Sequence, residues 1–220
     1  MNMKFAELYN ILTNYDKENL PGKKAHQKLA PKIGDVPFRN FKPADNSKQS
    51  AVMVLLLKDF DENLSVLFTL RSEKLKSHQG QISFPGGRME NNETPLNAAL
   101  RETKEEIGIN SEEINVLFQL SDLYVPPSNS IIHPFVGVIP HNLKFNLSKN
   151  EVKEIIVKDL DFFLDDSNSK EEYWEFNGRV TKIPLWHIHS KTPLWGATAM
   201  ILNEFLEIIK GSWSITKSIE

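Results

Sequence analysis

The alternation of hydrophobic and polar positions along the chain predicts a mixed α/β (α+β) domain. Two aliphatic runs, at residues 51–58 and 64–71, flank a short polar turn and predict a β-hairpin. Further along, Thr94 can cap a helix over residues 95–107, and Gly108 follows as its terminator. The start, periodicity and end of this helix are all marked in the sequence.

The remaining predicted elements are three strands, a second hairpin and a helix near each end of the chain. The strands cover residues 114–120, 131–139 and 143–147, the hairpin strands cover 173–176 and 180–186, and the helices cover 1–16 and 198–210. Prolines spread through residues 21–46 predict a connection without long regular elements. We therefore divide the chain into an N-terminal helix with its connecting segment, 1–49, and a main domain, 50–212.

Composition and charge exclude several classes of function. With 26 basic and 29 acidic residues, the formal net charge of −3 gives no global attraction to nucleic acid or to an anionic membrane. The longest apolar run, residues 51–57, is far shorter than the roughly 20 residues that span a bilayer. The chain has no cysteine and no apolar signal segment, so we expect a cytoplasmic location and a metal site, if any, made of carboxylates, imidazoles or backbone carbonyls.

An acidic group stands out on the predicted helix 95–107. On a helical wheel the buried face comprises Leu96, Ala99, Leu100, Thr103 and Ile107. Glu102, Glu105 and Glu106 fall in a separate arc at i, i+3 and i+4, where like charges repel and a divalent cation would bind. The alternative is a solvated acidic face partly neutralised by Arg101, one turn before Glu105.

The spacing around this helix resembles the Nudix box. Its signature positions, Gly87, Glu93, Arg101, Glu102, Glu105, Glu106, Gly108 and Ile109, follow the pattern G-x5-E-x7-R-E-U-x-E-E-x-G-U. Only Thr103 departs from it, standing where an aliphatic residue is commoner. The resemblance implies the Nudix fold, a mixed curved β-sheet sandwiched between helices, and metal-dependent hydrolysis of a diphosphate.

The same resemblance implies roles for individual residues. Gly87, Glu102, Glu105 and Glu106 become candidate ligands of Mg²⁺ or Mn²⁺, and the catalytic group comprises Glu102, Glu105, Glu106 and Arg101. Arg101 is also expected to form a scaffold pair with Glu93. Glycines at 86 and 87 would let the substrate approach the backbone closely. The general base stays open, with Glu151 and Glu154 among the candidates.

A segment upstream of the box resembles the coenzyme A pyrophosphatase branch of the Nudix family. It consists of Leu67-Phe68-Thr69-Leu70-Arg71-Ser72, Lys76, Gly80 and Phe84-Pro85-Gly86-Gly87. Phe68 replaces a leucine of the branch pattern and Lys76 replaces an arginine, which keeps the charge but loses the planar fork. The resemblance implies coenzyme A as substrate, with acyl derivatives as further candidates.

Coenzyme A carries a 3′-phosphate besides its diphosphate, so its site needs positive charge near the glycines at 86 and 87. The candidate substrate-binding residues are Arg71, Lys76, His78, Gly86, Gly87 and Arg88. For Lys74 we favour ordinary surface charge, and for His187 and His189 a structural or surface role. His26, His133 and His141 carry no signal.

Two other functions stay open at this point. The chain could hydrolyse another nucleoside diphosphate derivative, such as ADP-ribose or a dinucleotide, which the replacement at Lys76 keeps in view. It could also be a non-catalytic Nudix module that binds a nucleotide, although such modules usually lose box carboxylates and here all are present. The expected partner is a small-molecule substrate, and the sequence leaves a homodimer open.

Overall fold

The computed structural model describes residues 3–33, 36–37, 42–75, 78–176 and 178–216. Five α-helices occur in this part of the chain: α1 Phe5–Asn14, α2 Gly22–Lys28, α3 Pro95–Ile107, α4 Leu160–Leu164 and α5 Gly196–Thr216. The strands are β1 Lys32–Ile33, β2 Val36–Pro37, β3 Lys48–Lys58, β4 Leu64–Arg71, β5 Ile82–Ser83, β6 Gly86–Arg88, β7 Asn115–Gln119, β8 Leu123–Val125, β9 Ser130–Pro140, β10 Val152–Asp159, β11 Ser169–Phe176, β12 Arg179–Trp186 and β13 Leu194–Trp195.

The larger sheet has the strand order β10-β4-β3-β9-β7. Strand β3 runs parallel to β9 and antiparallel to β4, so the sheet is mixed as predicted. Pairing between β3 and β4 covers only residues 55–58 of β3, and the short strand β6 pairs with residues 50–52 of β3. Along β3, the pairing partner therefore changes from β4 to β6. This change places Gly86 and Gly87, which we call the glycine loop, against the central strand of the sheet.

Alternate side chains of β3 enter two separate cores. Met53 and Leu55 pack with Ala98 and Ile107 of α3 on one face. On the other face Val54 and Leu56 join a larger cluster that includes side chains of α1, α4 and α5. Because successive strand residues point to opposite faces, the sheet lies between helices on both sides, which confirms the predicted layered fold.

A second sheet contains the predicted hairpin. Strands β11 and β12 pair in continuous antiparallel register, and β13 pairs with the end of β12. Directly after β13, the Thr198 hydroxyl donates a hydrogen bond to the Ile82 carbonyl at 3.1 Å. This bond joins the start of α5, which directly follows the smaller sheet, to the segment that leads into the glycine loop.

The predicted strand at residues 143–147 is wrong. Leu143, Phe145 and Leu147 do alternate, and they pack on the core beneath α3. However, the backbone N–H of Asn146 donates to the Ile107 carbonyl at 2.9 Å instead of to a neighbouring strand. The segment is irregular because it satisfies carbonyls at the end of a helix, which such ends leave without partners.

Three further differences concern elements outside the box. The connection at 21–46 contains the helix Gly22–Lys28, strand Val152–Asp159 was not predicted, and the closing helix Gly196–Thr216 is longer than expected. None of the described helices combines the length and apolar character needed to cross a membrane. The division at residue 49 stays a prediction.

Candidate active site

Helix α3 carries the acidic group, and local sequence signals fix its ends. The Thr94 hydroxyl accepts the Asn97 N–H at 3.2 Å, and Pro95 occupies the first helical position. At the other end Gly108 adopts φ = 78°, and its N–H donates to the Lys104 carbonyl. A left-handed residue at this position favours glycine, so the predicted helix bounds are confirmed.

Glu106 is buried, with only 2% of its surface exposed. Its Oε2 accepts the Gly86 N–H at 3.2 Å, and its Oε1 lies 3.5 Å from Nη1 of Arg71. Burial raises the pKa of this carboxyl to about 7, although Arg71 and the Gly86 N–H oppose the rise. The alternative of a solvated acidic face is therefore wrong for Glu106, which faces the glycine loop.

The buried face of α3 differs from the predicted one at its edges. Ala99, Thr103 and Ile107 are buried as expected, whereas Leu96 and Leu100 are only partly buried. Ala98 is buried as well as Glu106. The face is rotated toward Glu106 because the glycine loop covers that side of the helix.

Gly87 lies directly against the carboxylate of Glu102. A Cβ atom on Gly87 would overlap that carboxylate, so only glycine leaves the present gap. Burial raises the pKa of Glu102, and the hydrogen bond from Arg101 opposes this. Two of the candidate metal ligands are thus neighbours, and their role as ligands stays a prediction.

Arg101 holds the acidic group together. Its Nε and Nη2 contact the two Glu93 oxygens at 2.9 and 3.0 Å. Its Nη1 donates to Glu102 at 2.8 Å and to Glu105 at 3.1 Å, while Nη2 also donates to the Arg88 carbonyl at 3.0 Å. The scaffold pair with Glu93 is present, and Arg101 positions both Glu102 and Glu105. A direct role for Arg101 in catalysis stays a prediction.

The donor set fits a hard divalent cation in kind. Glu102, Glu105 and Glu106 present carboxylate oxygens, the ligands that Mg²⁺ prefers, beside the accessible backbone of Gly87. Within the described ranges, no three His, Asp or Glu side chains converge on one point. The carboxylates are instead paired with Arg71 and Arg101. Metal binding would therefore require the glutamate side chains to turn away from these arginines.

The candidate bases lie in different surroundings. Glu151 is close enough to Glu102 and Glu106 to raise the pKa of each. Its carbonyl accepts the Ser72 N–H at 2.8 Å, which fixes the segment before β10 beside the end of β4. Glu154 is instead paired with His189 at 2.9 Å. The structure therefore brings Glu151 to the acidic group.

The candidate substrate-binding residues separate into buried and exposed ones. Arg71 is largely buried, and its Nε has no hydrogen-bond partner among the described residues. His78 is exposed and its ring contacts Gln81 at 2.9 Å, and Arg88 is exposed beside the glycine loop. Lys76 lies outside the described residues.

Sequence reasoning missed two histidine contacts. His133 lies between Asp122 and Gln49, at 2.7 and 2.8 Å. His26 is buried and contacts Glu204 at 2.9 Å. A charged residue within the apolar periodicity of α5 could have indicated the second contact, because a buried carboxylate requires a partner. His187 and His189 each lie 2.9 Å from a glutamate, Glu172 and Glu154 respectively, and their structural or surface role stays a prediction.

Comparison with known proteins places the chain in a family. The NUDIX domain family matches residues 47–175. The chain is 29% identical to Nudix hydrolase 3 of Caenorhabditis elegans over 218 residues, which cover 90% of each protein. It is also 37% identical to the peroxisomal coenzyme A diphosphatase NUDT7 of Mus musculus over 120 residues, 54% of this chain and 50% of that protein.

A solved structure shares the fold. A MutT/nudix family protein from Enterococcus faecalis has a TM-score of 0.51 with this chain and 19% identity. The match covers 93% of this chain and 73% of the other. At this identity the likeness supports the fold alone.

Proposed function

Since this chain belongs to the Nudix hydrolase family, we propose that it hydrolyses the diphosphate bond of coenzyme A, with acyl derivatives as further substrates. The products are adenosine 3′,5′-bisphosphate (3′-phospho-AMP) and 4′-phosphopantetheine. Half of the mouse coenzyme A diphosphatase aligns with the chain, which supports this choice of substrate.

One contact carries the proposal: Arg71 lies 3.5 Å from Glu106. Arg71 belongs to the segment that resembles the coenzyme A branch, and Glu106 belongs to the Nudix box. The N–H of Gly86 reaches the same carboxylate, so the upstream segment and the box form a single site. A metal ion held at this carboxylate would bring the substrate diphosphate close to the guanidinium of Arg71, a group that pairs with phosphate oxygens.

Hydrolysis of the diphosphate requires a bound metal ion and side chains that hold it. When bound, Mg²⁺ or Mn²⁺ neutralises phosphate oxygens and polarises the attacking water. Glu102, Glu105 and Glu106, with the backbone of Gly87, would hold the ion, and the absence of a Cβ at Gly87 leaves room for the Glu102 carboxylate. The water oxygen bonds to phosphorus as the bridging P–O bond breaks, and the leaving oxygen keeps the bonding electrons.

A carboxylate must accept the proton of the attacking water. Glu151 is the candidate that this arrangement favours, because it lies beside the box while Glu154 is engaged by His189. Arg101 pairs with Glu102 and Glu105 when no metal is bound. Its contacts to Glu93 tie the helix to the preceding loop. Water attack then converts one diphosphate into two monophosphates.

The test is a product analysis with coenzyme A, acetyl-coenzyme A, ADP-ribose and NADH, each in Mg²⁺ and in Mn²⁺. We expect the highest kcat/KM with a coenzyme A substrate and no turnover when EDTA removes the metal. A higher kcat/KM with ADP-ribose or NADH would favour hydrolysis of another nucleoside diphosphate derivative. Binding of these compounds without turnover would instead identify a non-catalytic module.

A further inference from the structure

A surface groove of about 660 Å³ borders the candidate active site. Its lining includes Ser72, Lys74, Asn146, Lys149 and Lys153, and we call it the basic groove. These residues come from the loop after β4, the irregular segment after β9 and the start of β10. The groove is therefore assembled from segments distant in sequence.

Backbone hydrogen bonds connect the basic groove to the acidic group. The N–H of Ser148, directly before Lys149, donates to the Glu106 carbonyl at 3.0 Å. The N–H of Ser72 donates to the Glu151 carbonyl at 2.8 Å. Ser72 also follows Arg71, whose guanidinium contacts Glu106. The segments that line the groove are thus hydrogen-bonded to, or directly follow, the segments that carry Glu106 and Arg71.

The basic groove carries positive charge, whereas the acidic group on α3 carries negative charge. Lys153 pairs with Glu73 at 2.7 Å, which leaves Lys74 and Lys149 as the uncompensated charges. Neither has an ion-pair partner within the ranges that the structure describes. A local surplus of two positive charges, in a chain of formal net charge −3, adjoins three clustered glutamates.

We propose that the basic groove binds a second phosphate group of the substrate while the diphosphate lies at the acidic group. This inference rests on the proposed function, under which the second group is the 3′-phosphate of coenzyme A. Lysine ammonium groups bind phosphate as point charges, and the Ser72 hydroxyl and the Asn146 amide add neutral donors. Both phosphates of the nucleotide are attached to the same ribose, so their two sites must lie near each other, and the backbone bonds between the groove and the acidic group support this. Lys74, which the sequence favours as surface charge, becomes a specificity residue.

The test is the double substitution Lys74→Ala and Lys149→Ala, with Lys144→Ala as the matched control. Lys144 is exposed on the same irregular segment but does not line the groove. In the double variant we expect kcat/KM for coenzyme A to fall by at least about 10-fold, while kcat/KM for dephospho-coenzyme A stays within about twofold. Lys144→Ala should change neither. An equal fall for both substrates, or no fall for either, would overturn the assignment.

A binding measurement separates this inference from the proposed function. Calorimetry should show that the wild-type protein binds adenosine 3′,5′-bisphosphate more tightly than AMP, and that the double variant has lost this preference. If the preference holds but coenzyme A is not hydrolysed, the proposed function alone fails. If coenzyme A is hydrolysed but neither protein distinguishes the two nucleotides, the groove assignment alone fails.

Discussion

The carboxylate of Glu106 lies between two groups from the preceding strands, the guanidinium of Arg71 at 3.5 Å and the N–H of Gly86 at 3.2 Å. A buried carboxylate is costly when ionised, which is why its pKa rises to about 7 although Arg71 opposes the rise. A bound divalent cation would reverse this cost. The environment of Glu106 therefore couples its protonation to metal binding.

Replacement of the buried ligand should separate activity from folding. We expect Glu106→Gln to lower kcat at saturating Mg²⁺ by more than about 100-fold, because the shape is kept while a charged ligand is lost. At about pH 5, where Glu106 is protonated, circular dichroism and thermal unfolding should remain close to wild type. Near wild-type kcat in this variant would show that Glu106 is not a required ligand.

The exposed ligand gives a second test. Glu105 is 55% exposed at its side chain, and its ion-pair partner within the described part of the chain is Arg101. Glu105→Gln should abolish most activity without a measurable change in the free energy of unfolding, because exposed pairs contribute little. Mg²⁺ titration of activity provides the measurement. Unchanged kcat and unchanged metal affinity would remove Glu105 from the ligand set.

The pH dependence of the metal-free protein follows from the pKa of Glu106. A rise from 4.5 to about 7 stabilises the folded state below pH 4.5, and this contribution of roughly 3 kcal/mol is lost as the pH rises through 7. Urea unfolding in EDTA at about pH 5 and about pH 8 measures the loss. The Glu106→Gln variant is the control, since it cannot ionise and should lack this difference. Adding Mg²⁺ to the wild-type protein at the higher pH should recover the free energy of unfolding that is lost in EDTA.

The two glycines of the loop should respond differently to alanine. At Gly86, φ is 151° and a Cβ would overlap the backbone of Ala51 and Val52, so Gly86→Ala should destabilise the fold by about 2 kcal/mol or more. At Gly87 the three atoms nearest to a Cβ all belong to the side-chain carboxylate of Glu102. Gly87→Ala should therefore leave Tm nearly unchanged while kcat/KM falls. The opposite order of effects on Tm would contradict this arrangement of the loop.

The position of Arg71 indicates how it affects specificity. Because its guanidinium contacts Glu106, we expect Arg71→Ala to lower kcat/KM for coenzyme A and for dephospho-coenzyme A by similar factors, about 10-fold to 150-fold. A loss confined to coenzyme A would place Arg71 at the 3′-phosphate. Comparing this variant with the double variant of the basic groove distinguishes the two kinds of contact.

The sequence alone determined the helix α3 and the chemistry that it carries. The cap at Thr94, the proline at 95 and the left-handed Gly108 are local signals, and their effects act over a few residues. The spacing of Glu102, Glu105 and Glu106 depends only on helical geometry. The pairing of Glu93 with Arg101 was implied by the resemblance to the Nudix box and is present in the structure.

The tertiary structure decided how these groups are surrounded. Burial of Glu106 depends on the glycine loop folding over α3, and the basic groove joins Lys74 to Lys149 from opposite sides of the box in sequence. The apolar alternation at 143–147 was real, but its backbone bonds to the end of α3 and not to a strand. Periodicity reports which side chains are buried, whereas backbone partners and the nearest charges are set by segments that meet only in the folded chain.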